Sequence, residues 1–391
     1  MSRGQRGRGL PGFRFAGLAA GLKRRGARDL GLIEAAEGTS AAGFFTTSRA
    51  AAAPVLLCRR RLKKGRARAI VVNSGNANAC TGERGEADAR TMGREVARRL
   101  GVREGEVLVA STGVIGAPLP MAVLDAAWDP LVAGLAAGGA KAFAEAILTT
   151  DTRIKRAEAA LPGGARVLGF AKGSGMIMPE LATMLAFVCT DAPVEPQLLR
   201  ELGREAVEDS FNAITVDGEP STNDSVFLLA SGQARRRPSR SALAGALAEV
   251  MGSLARQIVE DGEGAHHLVA VEVEGAASDR AADAIARRIA NSPLVKTALH
   301  GQDPNWGRIV SAAATAGVRV DPARFDLLVG ETAILRAGEW QGKAAEKRAS
   351  RTMRKKRYGI RLVVGEGPGR RTLWTCDFSA DYVRINADYR S

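Results

Sequence analysis

Residues 179–192, PELATMLAFVCTDA, hold the reading on which the fold turns. The run from Thr183 to Thr190 is apolar, with branched and aromatic side chains, and it lies between a proline and an Asp-Ala exit. Such a run predicts a strand buried on both faces. Thr183 stands at its start, flanked by Ala182 and Met184. Threonine is common in strands, so composition alone makes Thr183 a strand residue. Its hydroxyl becomes a nucleophile, however, if the chain is cut before it, because an N-terminal threonine carries its own base. An α-amine titrates at about 7.7–8.0, a lysine amine at about 10.4. The same hydroxyl can make the cut by attacking the Ala182 carbonyl carbon, an N-to-O acyl shift followed by hydrolysis of the ester. Ala182 obstructs little, and the threonine methyl restricts χ1.

Outward from this run, further buried strands are predicted at 69–74 (AIVVNS), 106–112 (EVLVAST), 166–171 (RVLGFA), 213–218 (AITVDG), 225–231 (SVFLLAS) and 268–276 (LVAVEVEGA). Helical spacing of apolar residues marks 86–100, 195–211, 241–262 and 279–290. The fold class is therefore α/β or mixed α+β with layered packing. Three glycine-rich clusters, NSGNANACTG (73–82), STGVIG (111–116) and AKGSGM (171–176), read as loops at strand ends. None has P-loop spacing, and no G-x-G-x-x-G leads from a strand into a helix, so nucleotide and dinucleotide readings lose their support. Exposed backbone N–H groups in such loops can instead hold a developing negative charge.

The 391 residues, 46% hydrophobic and 25% charged, suffice for a large core and predict two lobes or one large α/β body. Cys58, Cys80, Cys189 and Cys376 are scattered with no C-x-x-C pair, which fits a reducing cytoplasm better than a disulfide framework or a zinc knuckle. The most apolar run, LVAGLAAGGA at 131–140, is short of membrane-spanning length, so no membrane partner is expected. The N-terminal arm is rich in arginine and free of acids, but its glycines make a poor amphipathic transit helix. The net charge of +14 raises a nucleic-acid hypothesis. Yet the basic runs, in the N-terminal arm, at 235–240 and at 346–361, lack the interleaved aromatics of a stacking surface and read as solvated faces. The three histidines, His266, His267 and His300, sit in neither an H-E-x-x-H nor a G-x-S-x-G frame. Two are adjacent and cannot both face one site from a regular strand, so neither a histidine metal site nor a Ser-His-Asp hydrolase is expected.

The segment AKGSGMIMPELATMLAFVCTDA (171–192) resembles the self-cleaving segment of the glutamate N-acetyltransferase family, the ornithine acetyltransferases of arginine biosynthesis. In the same order follow or precede GFRFAGLAAGLK (12–23), NSGNANACTG (73–82), ASTGVIG (110–116), ILTTDT (147–152), FNAITVDGEPSTNDSVFLLASG (211–232), EDGEGA (260–265), VKTALHGQDPNWGRI (295–309) and YVRINADYRS (382–391). The resemblance covers nearly the whole chain, and only some ten residues precede its first motif, too few for a transit peptide.

The resemblance implies an α-β-β-α layered architecture similar to N-terminal nucleophile hydrolases, with a second, smaller lobe. It implies autoproteolysis between Ala182 and Thr183, giving an α chain of 1–182 and a β chain of 183–391 that stay together and pair into an α2β2 heterotetramer. Thr183 would take the acetyl group from N2-acetylornithine and deliver it to L-glutamate, with no metal or organic cofactor; some family members also use acetyl-CoA as donor. The oxyanion hole would fall on Thr112, through its hydroxyl, and Gly113, through its N–H. Substrate contacts would fall on Thr149, Lys172, Thr183, Glu263, Asn386 and Ser391, with Thr150 able to exchange roles with Thr149. By residue type alone, Lys172 and Glu263 are solvated surface charges and Asn386 a turn residue. Near neighbours on this reading are an aminopeptidase on the same scaffold, which passes its acyl group to water, and a nucleic-acid-binding protein, whose affinity would fall steeply with salt. The sequence departs from the family's usual pattern at Ser48, at His300 and Gln302 (often phenylalanine and alanine), and at His266-His267 (more usually threonine and a base). If Ser391 closes the pocket, a C-terminal extension impairs acetyl transfer; unchanged kinetics in the extended chain would remove Ser391 from the site.

Overall fold

The computed structural model describes residues 9–23, 26–178 and 184–388, and its chain contacts divide it into two compact units. The first comprises the residues up to Asn212 together with Glu219–Ile258; the second comprises Ala213–Gly218 and the residues from Val259 onward. These units are not the two expected chains. A cut before Thr183 would fall inside the first unit.

The first unit carries strands β1 (Phe13–Leu18), β2 (Leu30–Ala35), β3 (Ser40–Phe45), β4 (Ala69–Asn76), β5 (Val107–Val114), β6 (Lys155–Ala160), β7 (Arg166–Lys172), β8 (Leu185–Thr190) and β9 (Ser225–Ala230). They form a four-stranded sheet in the order β1-β2-β4-β5 and a five-stranded sheet in the order β3-β9-β8-β7-β6. Inward-facing residues of both sheets, among them Phe15, Ile33, Val72, Leu108, Phe170, Phe187 and Phe227, share one buried cluster, so the sheets pack face to face. Against the outer face of the first sheet, Leu32, Val71 and Val109 meet Met92 and Val96 of the helix Gly82–Leu100 and Trp128 of a short helix beyond it. On the second sheet, Gly169 of β7 lies so close to the helix Arg240–Glu260 that a Cβ there would come within 2.7 Å of Val250 and Leu254. The layering is thus α-β-β-α, as the resemblance implies. That last helix is long and apolar enough to cross a bilayer, but Val250, Met251 and Leu254 are buried in the packed layer.

The predicted run folds as read: all six residues of β8 are buried, and the strand pairs antiparallel with β7 and parallel with β9. Phe187 at its middle stacks on Phe227 at 5.6 Å and meets Phe143 edge-on at 5.2 Å. The predicted strands at 69–74, 106–112, 166–171, 225–231 and 268–276 are all present within two residues. AITVDG (213–218) is not a strand. Its Ile214 and Val216 are buried, but Thr215 donates its N–H to Trp374 O and its hydroxyl to Asn291 Oδ1, and Gly218 turns the chain at a positive φ. Burial without alternating ladder pairing gave the strand-like pattern.

In the second unit, β10 (Leu268–Ala276), β11 (Asp326–Val329), β12 (Thr332–Arg336), β13 (Glu339–Trp340), β14 (Arg357–Val363) and β15 (Gly369–Cys376) form one sheet in the order β13-β12-β11-β14-β10-β15. Helices Asp279–Ala290, Trp306–Ala314 and Gly342–Met353 bury Ile285, Ile309 and Ala349 against it. Side chains of Ser278 and Asn305 cap the first two of these helices, accepting from Ala281 N and Arg308 N. Truncating Phe187 to alanine removes the centre of the sheet–sheet core, and the Phe187→Ala variant is expected to lose about 3–5 kcal/mol, read as a lower urea midpoint.

Candidate active site

The proposed oxyanion loop is built from the parallel pair β4 and β5, in which Ser74 lies opposite Thr112 and Gly75 opposite Gly113. Gly113 has φ +134°, and a Cβ there would come within 2.3 Å of the Gly75 carbonyl carbon and 2.5 Å of Asn76 N. Only glycine fits so close an approach, and it leaves the backbone N–H unobstructed by a side chain. The surroundings are fixed by buried amides. Ser111 Oγ donates to Asn73 Oδ1 at 2.5 Å, and Asn223 Nδ2 donates to both Ala77 O (2.6 Å) and Ser111 O (2.8 Å). Thr112 itself is buried.

At the end of β7, Lys172 is 2% exposed, not a solvated charge as its residue type suggests. Beside it lies a fully buried carboxylate, Asp151. Its Oδ1 accepts from Lys155 Nζ at 2.6 Å and Gly173 N at 2.7 Å, and its Oδ2 from Thr149 N at 3.0 Å. Burial alone would raise the Asp151 pKa, but the charges of Lys172 and Lys155 and the Gly173 N–H outweigh it and hold the carboxyl well below its usual range. Thr150 gives its hydroxyl to a 2.6 Å bond with Ser174 Oγ, whereas the Thr149 hydroxyl makes only a long 3.5 Å contact with Asp151. That favours Thr149 over Thr150 as the group facing a ligand.

A second ammonium approaches the same place. Lys23 lies against Gly75, its Cγ 3.3 Å from where a Cβ of Gly75 would stand, and its Nζ donates to Arg28 O at 2.7 Å. Its loop is tied down by Asp29, which accepts from the N–H groups of Ala20, Gly21 and Lys23. Burial lowers the Lys23 pKa to about 8, with Asp29 opposing and the Lys172 charge adding to the fall. Lys23 and Lys172 together can receive a carboxylate. At the start of β8, Met184 N donates to Asp224 Oδ1 at 2.8 Å. Full burial pushes the Asp224 pKa upward from the ordinary carboxylate value, opposed by that N–H, by the Lys172 charge and by bonds from Ser221 and Thr46.

In the second unit, Glu263 and Asn386 meet, Asn386 Nδ2 donating to Glu263 Oε2 at 2.9 Å and to Tyr382 O at 3.0 Å. Asn386 is not a turn residue but lies on the helix Ala380–Asp388. Ala182, Thr183 and Ser391 lie outside the described residues. Sequence reasoning missed Lys23, Asp151, Lys155 and Asp224. All but Lys155 lie inside quoted motifs, but only tertiary burial distinguishes them from ordinary surface charges.

The ArgJ family matches residues 14–391. The chain belongs to this family. It is similar to the arginine biosynthesis bifunctional protein ArgJ of Parasynechococcus marenigrum, 48% identical over 97% of this chain and 93% of that one. The protein of the same name from Geobacter sulfurreducens is 48% identical over 98% of this chain and 100% of the other. Among solved structures, the ArgJ bifunctional protein of Bacillus halodurans is 39% identical with a TM-score of 0.50, and 52% of this chain covers 98% of that chain.

In this ArgJ-family chain the Asp151 carboxylate stabilises the fold wherever its folded pKa lies below its unfolded one. The contribution is present above the unfolded value, about 3.9, and shrinks as pH falls below it towards the depressed folded value. Asp151→Asn removes a buried carboxylate that faces two ammonium groups and is expected to cost about 3–5 kcal/mol at pH 7. In urea titrations the gap between wild type and variant should narrow as the pH is taken from 7 to 3; a gap independent of pH would contradict the charge assignment.

Proposed function

We propose that the chain is an acetyltransferase of arginine biosynthesis that moves the acetyl group of N2-acetylornithine to L-glutamate through an acetyl ester on Thr183, in the cytoplasm. Membership of the ArgJ family over residues 14–391 carries this reading. Relatives at 48% identity are named bifunctional, which favours acetyl-CoA as an additional acetyl donor to glutamate.

Maturation begins with attack of Thr183 Oγ on the Ala182 carbonyl carbon. As the ester forms, the C–N bond breaks and the proton of the hydroxyl passes to the nitrogen, freeing the Thr183 α-amine; water then hydrolyses the ester, leaving the Ala182 carboxylate and restoring the Thr183 hydroxyl. The Bacillus halodurans chain, matched over 98% of its length by only 52% of this one, is about half as long, as expected of a family that works as two chains. In transfer, the α-amine takes the proton of Thr183 Oγ as the oxygen attacks the acetyl carbonyl. The Thr112 hydroxyl and Gly113 N–H receive the oxyanion, and such a donor is worth about 10²–10³ in kcat. Collapse breaks the amide C–N bond, and the proton passes to the departing α-amine of ornithine. The α-amine of glutamate then attacks the ester, giving N-acetylglutamate and restoring Thr183. Each bond made or broken involves only protein, the two amino acids and, in maturation, water, so the route needs no metal or organic cofactor.

Among the contacts the family resemblance implies, Lys172, beside Asp151, is a cation of the kind that meets a carboxylate, and Glu263, bonded by Asn386, a carboxylate of the kind that meets an ammonium. The Thr149 hydroxyl and Ser391 complete the set of contacts, and the cut chains pair as α2β2.

Intact-mass analysis of wild type beside Thr183→Ala tests the proposal. Two chains divided before Thr183 in wild type, one uncut 41.0 kDa chain in the variant, and one added acetyl group on the Thr183 chain after acetylornithine without glutamate are the expected results. An uncut wild-type chain, or acetyl release to water at the same rate with and without glutamate, would contradict it.

A further inference from the structure

Asp377, next to the end of β15, has a side chain with no solvent exposure. Its Oδ1 accepts two backbone N–H groups, from His266 at 2.7 Å and from His267 at 2.8 Å. That pair fixes the carboxylate plane and presents Oδ2 to two imidazoles: His300 Nδ1 lies 2.8 Å away and His266 Nδ1 3.4 Å. His300 ends the helix Pro293–His300, so the three side chains come from three separate segments of the second unit. Their rings are 5.2 Å apart between centroids, and the three donor atoms all lie within 4.8 Å of one another. Both imidazoles are about half exposed, 51% for His266 and 43% for His300, which leaves room for water on the open side.

We propose that His266, His300 and Asp377 form a site for one divalent transition-metal ion of the zinc class. Zinc holds imidazole nitrogen and carboxylate oxygen at about 2.0–2.2 Å, so ligands on a tetrahedron around it stand roughly 3.3 Å apart. The observed spacing of Oδ2 to the two ring nitrogens brackets that value. Two imidazoles and one carboxylate suit late first-row ions better than magnesium or calcium, which prefer all-oxygen sites. The two backbone N–H groups on Oδ1 are the outer hydrogen bonds that hold a ligating carboxylate in place. Binding displaces any proton on the two Nδ1 atoms to solvent and leaves a fourth position for water.

Adjacent histidines in the sequence argued against such a site, but only one of the pair faces it. The His267 ring is buried and bonds Lys355 O through Nδ1 at 3.0 Å. The site also touches the loop that bears Glu263: Ser379, two residues after Asp377, donates its hydroxyl to Gly264 O at 2.7 Å. Metal bound here anchors that loop through Asp377 and Ser379, without entering the acyl-transfer steps.

Calorimetric titration of untagged protein with Zn2+, paired with the visible spectrum of the Co2+ form, tests the site in wild type, His300→Phe and His266→Thr. The last two introduce residues usual at these positions in the family, and circular dichroism establishes that they fold. One Zn2+ per chain in wild type, weakened about tenfold or more in each variant, with the Co2+ absorption bands lost, is the expected result. Absence of saturable binding in wild type, or binding of equal strength in both variants, as zinc held by the exposed Cys80 would give, overturns the proposal.

Discussion

A strand with no solvent-facing side chain must satisfy its whole backbone through neighbours, and β8 is such a strand. Its six residues are bonded on one edge by β7 and on the other by β9, with the phenylalanine cluster beneath and the helical layer above. Were the chain cut before the strand, this double pairing would hold the strand in place. β7 and β8, the described strands before and after the Ala182–Thr183 bond, belong to one sheet, so two halves cut there would share a core. The same pairing sets Lys172, at the end of β7, opposite Leu185.

Around that strand the first unit buries more charge than an apolar core tolerates alone. Asp151 is enclosed with Lys155 and Lys172, and Lys23 adds a third ammonium within electrostatic reach. One carboxylate is kept ionised by the surrounding cations, while full burial pushes the pKa of Asp224 upward against bonds from Met184, Ser221 and Thr46. The contrast comes from environment, since the two side chains are chemically identical.

Much of this was legible in the sequence. Continuous apolar runs marked six strands, β4, β5, β7, β8, β9 and β10, and the cluster holding Gly113 read as a strand-end loop whose N–H groups can hold charge. Strands without such a run were not legible: β6, KRAEAA, carries charges on its exposed positions and has no run to read. AITVDG misled because burial, not pairing, selects isoleucine and valine there. Asp151 and Lys155 looked like ordinary charges, since nothing local distinguishes a buried ion pair from a solvated one. The His266–His300–Asp377 cluster joins residues up to 111 positions apart, a distance that no local pattern encodes.

The outermost strand of the second sheet has a history as well as a position. The ladder partner of β3 is β9, Ser40 opposite Ala230 and Phe45 opposite Ser225, and beyond it β3 makes only a short bridge from Ser40 to Arg66. On a ribosome adding about 5–20 residues per second, β3 therefore emerges roughly 10–40 s before its partner exists. For that interval an apolar segment containing two phenylalanines has an open edge, and the intermediate is a template for pairing with other nascent chains. Loop closure across so long a span also places this sheet among slow-folding topologies. Expression yield in a foreign host should therefore be governed less by the stability of the finished enzyme than by translation speed and chaperone supply.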